Sequence, residues 1–126
     1  MSGYRQEFGR WGEAEGAAYL VSQGYQIIDR NARTPYGELD LVACQETPEG
    51  RVIVFVEVKT RSSERYGFPE ASVTPRKQAH LQAAAQAYLS AHPELEGPCR
   101  IDVIAILRAA RGGKTELIHF QDAVRV

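Results

Sequence analysis

The stretch Val52-Ile53-Val54-Phe55-Val56-Glu57-Val58-Lys59-Thr60 decides the fold. Its five leading residues are apolar and β-branched or aromatic, and they read as a buried β-strand. A carboxylate and an ammonium then follow, two residues apart. Side chains two apart in a strand share a face. Ile53, Phe55, Glu57 and Lys59 are expected on one face, and Val54, Val56 and Val58 on the other. A buried charge costs several kcal/mol unless it is paired or binds a metal. The polar end of this strand therefore needs partners.

Working backwards, Gly37-Glu38-Leu39-Asp40-Leu41-Val42-Ala43-Cys44 reads as the neighbouring strand. Glu38 and Asp40 are expected on one face, with Leu39, Leu41 and Ala43 on the other. The polar run Gln45-Glu46-Thr47-Pro48-Glu49-Gly50-Arg51 reads as a hairpin loop between the two. Closing the hairpin there brings Asp40 near Glu57. Two or three carboxylates on one patch repel one another unless a cation sits among them. Oxygen ligands at that density suit a hard divalent ion such as Mg²⁺.

The remaining elements follow in order. Phe8–Val21 reads as the first helix, with Trp11, Ala14, Ala18 and Val21 on one face and Gly24 at its end. Gly12 and Gly16 inside it each cost roughly 1 kcal/mol relative to Ala, which close packing would explain. Glu13 is favoured by the dipole of the first turn, and its functional reading is that it faces the patch of Asp40. Tyr25–Asn31 is a strand, and Thr34-Pro35-Tyr36-Gly37 turns the chain into the Asp40 strand. The polar segment Thr60–Pro69 is expected to contact substrate. Thr74-Pro75 caps a second helix that ends at His92-Pro93. Ile101–Leu107 is a further buried strand, Arg111–Lys114 a turn, and Glu116–Phe120 an edge strand. The order is α-β-β-β-α-β-β.

A chain of 126 residues reads as one domain, 1–126, with core enough to fold without disulfides. The two cysteines, Cys44 in a strand and Cys99 in a loop, read as reduced thiols of a cytoplasmic protein. No apolar stretch spans a membrane, and the N-terminus has no signal-peptide core. The net charge of −1 excludes nucleic-acid binding by bulk positive charge. A local basic rim remains available from Arg30, Arg33, Arg61, Arg65, Arg76 and Lys77. Asp102 reads as a structural acid beside Arg100 or Arg30, and His80, His92 and His119 as surface or helix-end residues.

These residues resemble a known pattern. Asp40, a hairpin and then Glu57-Val58-Lys59 are similar to the PD-(D/E)xK nuclease superfamily, with Leu39 where the name has Pro. Gly9-Arg10-Trp11-Gly12-Glu13, Gly24-Tyr25, Arg30-Asn31, Gly37–Leu41, Phe55–Arg61 and Arg100–Val103 resemble the small YraN-like family of predicted endonucleases. That family is similar in turn to archaeal Holliday-junction resolvases. The resemblance implies an α/β, restriction-endonuclease-like fold, a mixed central β-sheet flanked by two main helices. It implies that Asp40 and Glu57, with Glu13, hold Mg²⁺ or Mn²⁺, and that Lys59 positions or deprotonates the attacking water. Lys77 matches a further basic residue on the second helix, and Arg30, Arg61 and Arg76 join it as DNA contacts.

The function expected is metal-dependent hydrolysis of DNA, with branched DNA as one candidate substrate. A homodimer would suit a two-fold symmetric junction. The alternative is a nuclease fold that binds nucleic acid or a protein without cutting. Paired carboxylates also serve glycosidases, but the adjacent Lys59 counts against that chemistry.

Overall fold

The computed structural model describes residues 2–61, 73–108 and 113–125. Most of the expected substrate loop, with Arg65, Tyr66 and Phe68, lies outside them. So do residues 109–112, with Arg111 and Gly112 of the expected Arg111–Lys114 turn. The elements run α1 (Ser2–Ser22), β1 (Gln26–Thr34), β2 (Gly37–Thr47), β3 (Gly50–Arg61), α2 (Pro75–Ala91), β4 (Cys99–Arg108) and β5 (Thr115–Val124). This is the α-β-β-β-α-β-β order that the sequence implies.

All five strands form one sheet in the order β1-β2-β3-β4-β5. The pair β3·β4 is parallel and the other three pairs are antiparallel. Parallel neighbours need a long crossover, and α2 supplies it. The β2–β3 hairpin is tighter than expected. Thr47 pairs with Gly50, leaving only Pro48 and Glu49 as the loop. Two things extend the strands this far: Glu46 lies opposite Arg51, and Gly50 takes a φ of 121° that other residues avoid. Cys99 is likewise the first residue of β4, not part of a loop.

The helices cover opposite faces. Leu81, Ala84, Ala85 and Tyr88 of α2 pack on Leu39, Val42, Cys44, Ile53 and Phe55. Ala17 and Leu20 of α1 pack on Leu41, Ala43, Val54, Val56 and Ile104. The alternation along β3 is as expected. Helix α1 is rotated from the expected stripe: Ala14, Ala18 and Val21 are exposed, while Gly12, Gly16, Ala17 and Leu20 face the sheet. The cause is steric. A Cβ at Gly12 would overlap Cγ2 of Thr60, and one at Gly16 would sit 3.4 Å from Cγ2 of Val58. The helix rests on its glycines, so its inner face is marked by Gly12 and Gly16, which the expected apolar stripe left out.

The α1 side of the sheet also holds a polar network. Asp102 is fully buried. Its carboxylate accepts from Arg100 Nε (2.9 Å), from the backbone N–H of Asp122 (2.9 Å), and pairs with His119 Nε2 at 2.7 Å. Arg100 also donates to Gln45 Oε1 and to the Tyr25 hydroxyl. The structural reading of Asp102 with Arg100 therefore holds. His119 is not a surface residue: its side chain is 6% exposed, between Asp102 and the ring of Tyr19. An edge strand hides a residue on its covered face, which periodicity over a short polar segment does not reveal.

The two helix glycines separate experimentally. Gly12→Ala gains about 1 kcal/mol of helix propensity but overpacks the stiff, β-branched Thr60, for a net loss of about 1–2 kcal/mol. Gly16→Ala meets only ordinary contact distances and leaves stability level or slightly raised. Urea unfolding of both, and of Gly12→Ala with Thr60→Ser, checks this; the second substitution removes the overlapping methyl and recovers the loss.

Candidate active site

The site lies where β2 and β3 part. Their pairing runs from Thr47↔Gly50 to Leu41↔Val56 and stops. Beyond it β2 pairs only with β1, and β3 only with β4. The same register carried one step further sets Asp40 opposite Glu57. Where the ladder ends, the backbone N–H of Val58 has no carbonyl from β2, and Asp40 Oδ2 accepts it at 2.8 Å. A side chain thus stands in for a strand at the crotch of the fork.

The strand is irregular at this point. Leu39 belongs to the core under α2 and Leu41 to the core under α1, although they are two apart. The expected common face for Leu39, Leu41 and Ala43 is therefore wrong at Leu39. On β1, the flanking pairs Arg30↔Leu41 and Ala32↔Leu39 set Asn31 opposite Asp40. Asn31 takes a left-handed φ of 51°, which Asn tolerates better than most residues. The two irregular residues face one another, and alternation breaks between them.

Glu57 and Asp40 are brought together. Burial, foremost, and the neighbouring Glu57 charge push the Asp40 carboxyl up to about 8, against the pull of the Val58 N–H. Glu13 adds to the same field, and a hydrogen bond joins the Asp40 and Glu57 carboxyls. Glu13 itself is raised by burial, by Glu38 and by Glu57, while a hydrogen bond to Asn31 and the Arg10 charge oppose the shift. Lys77, in the first turn of α2, reaches Glu57 Oε2 at 3.3 Å. Thr74 caps that turn by accepting from the Lys77 N–H at 3.2 Å, as the sequence implies. Lys59, two residues beyond Glu57 on the same strand face, is half-buried.

The basic rim is more scattered. Arg30, Arg61 and Arg76 are all exposed, on β1, at the end of β3 and on the first turn of α2. Arg33 leans on Glu38 at 3.9 Å. Among the described residues no three His, Cys, Asp or Glu side chains form a ready metal cluster. Asp40 and Glu57 form a close pair, with Glu13 felt through its charge. Asn31 and Arg10 also belong to this environment. Sequence reasoning missed their part, and the one available signal was an Asn, tolerant of the left-handed region, in a strand that must bend.

Comparison with known proteins then places the chain. The family model of an uncharacterised protein family, UPF0102, matches residues 12–106. The chain belongs to UPF0102. A UPF0102 protein from Syntrophomonas wolfei subsp. wolfei is 47% identical over 118 residues, covering 94% of this chain and 97% of that protein. Another from Syntrophotalea carbinolica is 44% identical over 126 residues, covering 100% of this chain and 98% of its own. The solved structure of Pyrococcus furiosus SfsA in complex with Ca²⁺ covers 96% of this chain and 63% of its own, at 18% identity and a TM-score of 0.33. That likeness is too slight to carry an inference. No described helix of this UPF0102 member is long and apolar enough to cross a membrane.

The strained carboxyl pair makes stability depend on pH with a definite sign. An ordinary Asp titrates at 3.8, and folding raises Asp40 to about 8. Below that window the group is neutral in both states. Within it the unfolded chain gives up the proton that the folded protein keeps, so stability falls as pH rises. The melting temperature of the metal-free wild type should therefore drop across the window more steeply than that of Asp40→Asn. Equal slopes for the two would mean that the carboxyl is not held up.

Proposed function

We propose that this protein is a metal-dependent endonuclease acting on DNA phosphodiester bonds, branched DNA among them. The observation that supports it best is the pairing of Asp40 with Glu57 in the fork, with Lys59 two residues on. Asp40, buried and held protonated beside the Glu57 charge, forms with it a site that a cation relieves. Mg²⁺ keeps several waters and needs only one or two protein carboxylates, so this donor set fits it without a third close ligand. Asp40 and Glu57 would hold the ion, with Glu13 reaching it directly or through water. When bound, Mg²⁺ or Mn²⁺ supplies acidification of water and neutralisation of charge on phosphoryl oxygens.

The chain's own groups do the rest. Lys59 stands beside the pair and serves the reaction as a proton acceptor when neutral, or as a charge partner of the phosphoryl oxygens when protonated. Lys77 fixes Glu57 through their ion pair and holds its carboxylate toward the fork. To Arg30, Arg61 and Arg76, all exposed, this reading gives the grip on a DNA backbone that crosses the fork. A homodimer would present two such forks to a symmetric junction.

One observation favours a second reading, a nuclease fold that grips DNA without cutting: the described acids form no ready three-ligand cluster. The experiment separates the two. Linear duplex and four-way-junction DNA are incubated with Mg²⁺ or Mn²⁺ and wild type, Asp40→Ala or Lys59→Ala. Cleavage by wild type that falls by about 10²-fold or more in each variant supports the nuclease. Cleavage that survives both substitutions is a contaminant's, and binding without cleavage under every metal supports the module. Light scattering of the same preparations reads the oligomeric state.

A further inference from the structure

Three glycines interrupt α1 beyond its first turn, and only two of them have a structural reason. Gly12 and Gly16 let the helix rest on β3. Gly9 does not: a Cβ there would meet no atom within 4 Å. A glycine in a helix interior costs roughly 1 kcal/mol relative to Ala. Gly9 therefore carries a cost that packing does not explain. A glycine also allows close approach of a ligand to the backbone, and here the space beside it is a cavity. The cavity holds about 450 Å³ and opens next to the fork. Gln6, Arg10 and Glu13 of α1 line it on one side, and Asn31, Arg33 and Glu38 of the β1–β2 hairpin on the other.

We infer that this cavity is a subsite for a single unpaired nucleotide next to the phosphate that is cut. The inference rests on the nuclease reading and adds what the substrate must look like. The cavity's size falls in the range of roughly 300–1,000 Å³ that takes one small ligand, too small for a base pair with its backbones. Its chemistry suits a nucleotide. Arg10 and Arg33 present guanidiniums, which match phosphate oxygens in a fork of donors. The pair of Arg33 with Glu38 is exposed and long, so it yields to a phosphate at little cost. Gln6 and Asn31 carry amides, which donate to and accept from base edges. A base held in a stack cannot reach such a pocket; one in a gap, flap or branch point can. Glu13 lines the cavity and also contributes to the field at Asp40, so occupant and reacting phosphate lie side by side.

The test measures binding and cleavage separately, on the full chain. Fluorescein-labelled duplex, and the same duplex with a short single-stranded gap, are titrated in EDTA with wild type, Gly9→Leu, Arg10→Ala and Lys114→Ala. Gly9→Leu sets a bulky side chain beside the cavity without removing a charge, its Cβ meeting no atom within 4 Å, and its melting temperature shows whether the fold is kept. Arg10→Ala, an exposed residue, serves should the leucine perturb the helix. Wild type and Lys114→Ala should prefer gapped DNA by about tenfold or more, and the two cavity variants should lose that preference. A wild-type preference near one, or a preference that survives both cavity variants, overturns the subsite. With Mn²⁺, wild-type cleavage accompanied by either of those outcomes leaves the nuclease standing and removes only the subsite. Wild type that neither binds nor cuts any DNA removes both.

Discussion

The rest of the structure depends on one hydrogen bond, from the Val58 N–H to the Asp40 carboxylate. A strand that leaves its neighbour strands a row of backbone groups, and buried ones must be satisfied. Here β2 leaves β3 after Leu41, and the first donor left behind is claimed by a side chain rather than by water. That lets the sheet open into a fork without a buried orphan. It also fixes a carboxylate at the crotch, half-buried and beside Glu57. The device that opens the cleft and the device that charges it are the same residue.

A second aspartate makes the same contact and reaches the opposite electrostatic result. Asp102 accepts the backbone N–H of Asp122, where β5 slips register against β4 and Asp122 turns to a φ of 52°. Both aspartates therefore patch an interrupted ladder. Burial pushes the Asp102 carboxyl up, but His119, Arg100 and the Asp122 N–H outweigh it and hold the carboxyl below its usual value. Asp40 has carboxylates where Asp102 has the Arg100 guanidinium and the His119 ring. Geometry alone would give the two one role. Their neighbours make Asp102 a satisfied structural acid and leave Asp40 a carboxyl that holds its proton up to about 8.

The fold was legible where periodicity was strong. The apolar run of β3 and its polar end gave the strand, its two faces and the approach of Glu57 to Asp40, and Thr74-Pro75 gave the start of α2. Periodicity failed where it was broken on purpose. At Asp40 the alternation breaks opposite Asn31, whose left-handed φ of 51° no count of apolar residues contains. On α1 the buried stripe runs through Gly12, Gly16, Ala17 and Leu20, so a helical spacing counted on apolar side chains passed over the glycines and selected the exposed Ala14, Ala18 and Val21. His119 was hidden by its partner: only the fold brings Asp102 to it. The glycines at 12 and 16 were the better guide, since their cost demanded a close neighbour.

The fork also explains how groups from opposite sides of a sheet come to act on one pair of acids. A continuous sheet separates its two faces, and here α1 lies on one and α2 on the other. Glu13 comes from α1, yet its charge is felt at Asp40, and the Glu57 charge is felt at Glu13. Lys77 comes from α2 and pairs with the same Glu57. The approach of Lys77 is direct, since Glu57 shares the β3 face that α2 covers, while the approach of Glu13 from the other face needs the gap that β2 and β3 leave. Glu13 depends further on Gly12, because the seat of that glycine on Thr60 sets how low the helix lies, and Glu13 is the next residue. Packing and charge are thus a single constraint: a helix raised by one methyl at position 12 withdraws its acid from the fork.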